Sequence, residues 1–138
     1  MSQLSKENFA FLNELKKNNH RDWFEKNKAA YQKHHEEVIA YAEALHEEIS
    51  KFDAIETPTG KKSLMRIYKD VRFSKDKTPY KTHWGGGFKR AGAERRGGFY
   101  YHLEKGNAFV GGGFWAPEAK DLQHIRTQID LNPKPLRA

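Results

Sequence analysis

A large apolar residue recurs every seven positions from Phe24 to Phe52: Phe24, Tyr31, Val38, Leu45 and Phe52, with Ala42 and Ile49 in the alternate rows. Seven residues is close to two helical turns, so these side chains line one stripe of an amphipathic helix. The stripe predicts a helix of roughly thirty residues, with a kink placed near His34-His35. Asp22, followed three residues on by Glu25, predicts its cap. A coiled coil is the alternative, but its seam is short and rich in aromatics.

The rest of the chain is organised around that helix. Ser5 has the character of an N-cap, with Leu4 before it and Phe9 after it as a hydrophobic staple. Phe9, Leu12 and Leu15 then share a face, and Asn18-Asn19 ends a first short helix. Thr57-Pro58-Thr59-Gly60 stops the long helix, and the residue character changes there. Strands are predicted at 64–68, 82–89, 99–104 and 108–115, with Lys105-Gly106-Asn107 as a tight turn joining the last two. Pro117 opens a third helix with Leu122, Ile125 and Ile129 as its apolar face, and Pro133 and Pro135 end the regular structure. Helices grouped before and after strands predict an α+β fold, with long N-terminal helices on a small, mainly antiparallel sheet and a C-terminal helix beyond it.

Composition narrows the function classes. The 138 residues suit a single domain, 1–138, and aromatics at 13% offset a low hydrophobic content of 37%. The absence of cysteine excludes disulfides, thiolate zinc sites and a cysteine nucleophile. The N-terminal residues lack the basic-then-apolar pattern of a signal peptide, and no run approaches the roughly 18 apolar residues of a spanning helix. A cytoplasmic location, with no membrane partner, is expected.

The net charge of +7 is unevenly placed. Residues 61–96 carry twelve Lys or Arg against Asp70, Asp76 and Glu94, a local +9, so the remainder nets −2. A basic patch of this kind favours a phosphate-bearing small molecule or a nucleic acid as partner. A solvated basic face is the plainer alternative.

The centre of that charge is Arg66 to Lys81. If residues 64–73 run extended, Arg66, Tyr68, Asp70 and Arg72 share one face, opposite Ile67, Val71 and Phe73. Two guanidinium forks flanking a carboxylate suit phosphate or carboxylate recognition, with Asp70 orienting the arginines. Ser74 to Lys77 has turn chemistry, and Pro79 extends Thr78. Arg66, Asp70, Arg72, Lys75, Lys77, Tyr80, Lys81 and His102 are therefore candidate ligand-binding residues. Ser74, Asp76 and His83 are candidates for proton transfer. An ion-pair network that only braces the loop explains the same residues.

Other patterns carry less. Ser74-x-x-Lys77 lacks the companion motifs of a penicillin-binding nucleophile, and neither Gly85-Gly86-Gly87 nor Gly111-Gly112-Gly113 has phosphate-loop spacing. Those triplets predict a close approach to the sheet by a ligand or, more simply, by the long helix. His34-His35-Glu36-Glu37 has no metal-ligand spacing, and no metal is assigned. Three function classes remain: binding of an anionic ligand, with or without catalysis; a nucleic-acid module using Tyr68, Phe73, Tyr80 and Trp84 as stacking platforms; and a structural or protein-interaction domain.

Three stretches together resemble a known family: Asn19 to Phe24 followed by Lys28 and Tyr31; Arg66 to Thr82, reading RIYKDVRFSKDKTPYKT; and Gly111 to Pro117, reading GGGFWAP. The chain is similar over most of its length to the domain of unknown function 2461 family. The resemblance implies a cytosolic, stand-alone domain and brings with it no activity, substrate, cofactor or oligomeric state. It also implies a further C-terminal portion beyond the third helix, which this sequence lacks.

Overall fold

Ser5 starts the chain's first helix as its side chain allows: the hydroxyl accepts the Asn8 N–H at 3.2 Å. The computed structural model describes residues 3–137. Its elements run α1 (Lys6–Lys17), α2 (Arg21–Lys26), α3 (Lys28–Ser50), α4 (Gly60–Ser63), β1 (Trp84–Lys89), β2 (Gly98–Leu103), β3 (Phe109–Gly113), α5 (Ala119–Leu131) and α6 (Lys134–Arg137). The architecture is α+β: N-terminal helices, a three-stranded antiparallel sheet, and a helix after it.

The apolar stripe is divided. His20, not Asp22, caps α2, its Nδ1 accepting the Trp23 N–H at 3.3 Å. Asn27 then leaves the helical conformation, at φ −109° and ψ 16°, and its amide caps the Trp23 carbonyl at 2.8 Å. The break thus falls at Asn27 rather than near His34-His35, because an Asn side chain can take over a terminal carbonyl. Phe24, Val38, Ala42 and Ile49 reach the core, whereas Phe52 lies past the helix end and is exposed. In α1 the buried row is Asn8, Phe11, Leu12 and Leu15, with Phe9 only partly covered. Reading Phe9 as the leading core residue fails because a polar residue, Asn8, occupies that row.

The sheet has the order β1-β2-β3, with Trp84 opposite Leu103 and His102 opposite Phe109. The predicted hairpin turn is present, with Gly106 at φ +78° and the Asn107 N–H donating to the Glu104 carbonyl at 3.1 Å. Alternation sends Trp84, Phe88, Tyr101 and Leu103 inward. Gly86 is required by close approach. A Cβ there would overlap the Tyr101 hydroxyl and stand 2.7 Å from the Ser63 carbonyl oxygen. At Gly86 the element that comes this close to the sheet is α4, through Ser63, while the long helix α3 also packs against β1.

Three other expectations change. Residues 64–68 form no strand: they make isolated bridges, Leu64 to Gly86 and Tyr68 to Tyr80. Too few consecutive bonds form to build a ladder, although Lys69 N–H to Pro79 O (2.8 Å) and Lys81 N–H to Ile67 O (2.7 Å) hold the two stretches together. Pro135 does not end regular structure but lies inside α6, where an early helical position tolerates the missing N–H. The helix α5 forms over the predicted apolar face, yet buries none of its residues.

The core joins both halves of the chain. Tyr80 stacks on Phe24 with centroids 4.1 Å apart and planes 16° apart. Asn8, fully buried, donates to the His34 carbonyl at 3.0 Å and accepts from the Trp84 indole at 2.7 Å, tying α1 to α3 and β1.

Candidate functional site

The Arg66–Lys81 segment folds as a hairpin-like loop whose base is held by Asn19. The Asn19 amide donates to the Tyr80 carbonyl (2.9 Å) and its carbonyl accepts the Tyr80 N–H (3.1 Å), so one side chain satisfies both backbone groups. Within the loop, Asp76 accepts from Lys69 Nζ (2.6 Å), Thr78 N (2.9 Å) and Thr78 Oγ1 (2.8 Å). The Lys69 hydrogen bond, followed by those of Thr78, holds the Asp76 carboxyl far below its usual range. Asp76 is an ionised brace at neutral pH, which does not suit the proton-transfer role expected of it.

Alternation carries only part of the segment. Ile67 is buried and Arg66, Tyr68 and Asp70 face outward, but the chain turns at Arg72-Phe73 and leaves Phe73 95% exposed. Asp70 grips Arg72 in a fork, Nε to Oδ1 at 3.0 Å and Nη2 to Oδ2 at 2.7 Å. That hydrogen bond from Arg72 lowers the Asp70 carboxyl. Lys77 caps the Val71 carbonyl at 2.7 Å.

A cleft of about 560 Å³ opens between the end of α1 and this loop. Of the residues singled out in the sequence, Asp70, Asp76, Tyr80, Lys81 and His83 line it. Arg66, Arg72, Ser74, Lys75, Lys77 and His102 do not, so the cations divide between a concave wall and an outer surface. Tyr80 is 97% buried with its ring on Phe24, so it is a core residue that reaches the wall rather than a free stacking face. Ser74 has no side-chain base beside it in the loop's hydrogen-bond network.

The cleft also takes Lys16, Asn19 and Lys69, which sequence reasoning passed over. Strict alternation puts Lys69 on the side of Ile67 and Val71, and Lys16 lies some fifty residues from the motif, so neither has a local signal. Their charges are not equivalent. Lys69 is paired with Asp76 and Asp70 is paired with Arg72, while Lys16 and Lys81 have no carboxylate partner among the described residues. Lys81 Nζ donates only to the Arg66 carbonyl, at 2.6 Å. Burial first, and then the Arg66 charge, lower the Lys81 ammonium below its usual value.

At the cleft's end the chain enters β1, and His83 stacks on His102 with centroids 4.3 Å apart. Burial first, then His102 and Lys81, push His83 down against the opposing pull of Glu104, which favours its neutral imidazole. Tyr100, His102 and Glu104 follow at two-residue spacing and share the outer side of the sheet. Tyr100 Oη lies 3.1 Å from His102 Nδ1, and His102 Nε2 lies 3.2 Å from Glu104 Oε2. The His102 hydrogen bond depresses the Glu104 carboxyl, with Asn107 adding to the effect. Only His102 of these three was expected; the Tyr-x-His-x-Glu spacing was the available signal. Beside Tyr100 runs an apolar groove of about 930 Å³ with Met65, Phe109, Phe114 and Trp115 in its walls.

Among the described residues no group of three His, Asp or Glu side chains is placed to hold a metal ion, and no helix is long and apolar enough to cross a membrane. The chain matches no curated protein and no solved structure. The Asn19 and Arg66–Thr82 stretches that carry the family resemblance are joined by the Asn19–Tyr80 clamp at the mouth of the cleft. Residues 7–138 match the family model described as conserved hypothetical protein (DUF2461), and the chain belongs to that family.

Proposed function

We propose that the cleft between α1 and the 69–83 loop binds an anionic ligand, a phosphorylated small molecule or nucleotide, in a cytoplasmic protein. The observation that carries this reading is the uncompensated charge of Lys81 and Lys16. Both carboxylates of the cleft already have cationic partners, and Lys81, partly buried, has only a backbone carbonyl. An anion accepting from Lys81 and Lys16 would restore the ammonium that burial disfavours. Lys69, Asp76 and Thr78 form a braced wall, which keeps the ordering cost of binding low.

Titration with ATP and with inorganic pyrophosphate, followed by amide chemical shifts, tests this. Shifts should concentrate at 16–19 and 69–83, and Lys81→Met should weaken binding about tenfold or more while Lys75→Met leaves it nearly unchanged. No shifts at saturating ligand, or equal effects of the two substitutions, would refute the reading.

The outer surface supports a second reading. Phe73 is 95% exposed with the Arg72 guanidinium 5.8 Å from its ring centre, and Lys75, two residues on, is exposed with no carboxylate partner among the described residues. An exposed ring with a guanidinium over it is an arrangement that single-stranded nucleic acid uses for stacking and phosphate contact. In that case Phe73→Ala and Lys75→Met would weaken oligonucleotide binding, the affinity would fall steeply with salt, and Lys81→Met would have little effect.

A further inference from the structure

The anion cleft ends on two stacked histidines whose surroundings differ. The rings of His83 and His102 lie with centroids 4.3 Å apart and planes 26° apart. His102 is held on several sides: Glu104 Oε2 is 3.2 Å from its Nε2, Tyr100 Oη is 3.1 Å from its Nδ1, and the Phe109 ring lies nearly parallel to it at 10°. Whatever its tautomer, His102 has Glu104 as its counter-charge. His83 has no side-chain hydrogen bond and no ion pair among the described residues. No side-chain nitrogen among those residues is buried without a partner, so the unpaired ring nitrogens of His83 reach solvent. Of the two histidines, His83 lines the cleft and His102 does not.

Charged and titratable groups face His83 from each neighbouring element. Lys81, two residues before it, and His102 on β2 both disfavour a proton on His83, whereas Glu104, on the far side of His102, favours one. The Tyr100 hydroxyl lies over Gly85 beside the His83 ring. Lys16 from α1 and Lys69 from the loop line the same cleft, Lys69 being paired with Asp76. Asp70, the other carboxylate of the cleft, is paired with Arg72. Two imidazolium ions stacked this closely repel each other unless each has an anion of its own. Glu104 serves His102. An anion for His83 has to enter from the cleft, where both carboxylates are already engaged.

We propose, resting on the anion-binding reading of this cleft, that its ligand ends in a doubly charged phosphoryl group and is taken up together with a proton on His83. As phosphoryl oxygens accept from Lys81 and Lys16, their charge offsets that of Lys81. The same oxygens give His83 the counter-charge that His102 has in Glu104. A proton from solvent adds to a ring nitrogen of His83, and the N–H so formed donates to the anion. His83 is thus a binding residue that favours its neutral form in the free protein and its charged form in the complex. The sign of the pH dependence follows by linkage. The extra affinity is complete below the His83 midpoint of the free protein and is lost as pH rises through the higher midpoint of the complex.

The probe is pyrophosphate, and the readout is the pH titration of the histidine ring signals by NMR in protein with isotope-labelled histidine. His83→Gln identifies the His83 signal. Saturating pyrophosphate should raise the His83 midpoint by about one pH unit, equivalent to a tenfold change in affinity, and the His102 midpoint by less. Parent and His83→Gln are then compared at each pH, so that protonation of the ligand itself cancels. The parent should bind about fivefold or more tighter at about pH 5.5, and the two should bind equally at about pH 8. Amide shifts at 16–19 and 69–83 with an unmoved His83 midpoint would overturn the proton uptake and leave the anion cleft standing. Equal affinities of parent and His83→Gln at both pH values would do the same. An absence of those amide shifts would refute the cleft reading itself, and the proton uptake with it.

Discussion

Replacing Asn8 by Ala tests how the helical and sheet halves are joined. Asn8 is fully buried, and its carboxamide serves α3 through the His34 carbonyl (3.0 Å) and β1 through the Trp84 indole (2.7 Å). In the variant the Trp84 N–H is left buried without an acceptor, which costs about 1–3 kcal/mol. The His34 carbonyl lies in mid-helix and keeps its helical partner, so its loss is small. The space vacated by the carboxamide adds about 1 kcal/mol. The sum, about 3 kcal/mol, corresponds to a fall in midpoint temperature of roughly 10 °C for a chain of this size. Urea unfolding followed by both tryptophan fluorescence and far-UV circular dichroism should show a lower midpoint with an unchanged slope. Asn8→Asp sharpens the test. It keeps an acceptor for Trp84 but faces the Glu37 carboxylate, whose Oε2 is 3.3 Å from Asn8 Nδ2, so at neutral pH it should be no more stable than the Ala variant. A loss under about 1 kcal/mol for Asn8→Ala, or an Asn8→Asp protein as stable as the parent, would show that this hydrogen bond is not what joins the two halves.

Three further perturbations have expected outcomes. Gly86→Ala should destabilise by about 3 kcal/mol or more, because its Cβ meets the Tyr101 hydroxyl and the Ser63 backbone; adding Tyr101→Phe should recover part of that loss in the same unfolding assay. Glu37 is raised by burial, but hydrogen bonds from the Ser5 hydroxyl and backbone, Asn8 and His34 outweigh this and hold it at about 2 against an ordinary 4.5. A depressed folded value means the stabilisation, about 2–3 kcal/mol, is complete above the unfolded value and is lost as pH falls from about 4.5 towards 2. Glu37→Gln should remove that part of the acid-unfolding slope, and a slope identical to the parent's would count against the assignment. Asn19→Ala removes both hydrogen bonds to the Tyr80 backbone and should cost about 1–3 kcal/mol, with hydrogen exchange at the Tyr80 amide accelerated more than at amides of α3. Unchanged exchange at Tyr80 would mean that the clamp does not hold the loop.

Local chemistry determined much of this molecule before any tertiary contact forms. Ser5 caps α1, Gly106 turns the hairpin at positive φ, and the alternation of β2 sends Tyr101 and Leu103 inward. Each depends on residues within a few positions of one another, so the sequence displays it directly. The charge excess of residues 61–96 was equally legible, because counting charges needs no coordinates. Tertiary structure decided the rest. Whether Lys81 or Lys75 faces a cleft depends on α1, which brings Lys16 and Asn19 from far along the chain to the base of the loop. Whether Asp76 moves protons or braces depends on Lys69 and Thr78 reaching it together. Asn8 is buried because Trp84 and His34 enclose it, and polarity predicts exposure only where no distant partner supplies the hydrogen bonds that water would otherwise provide.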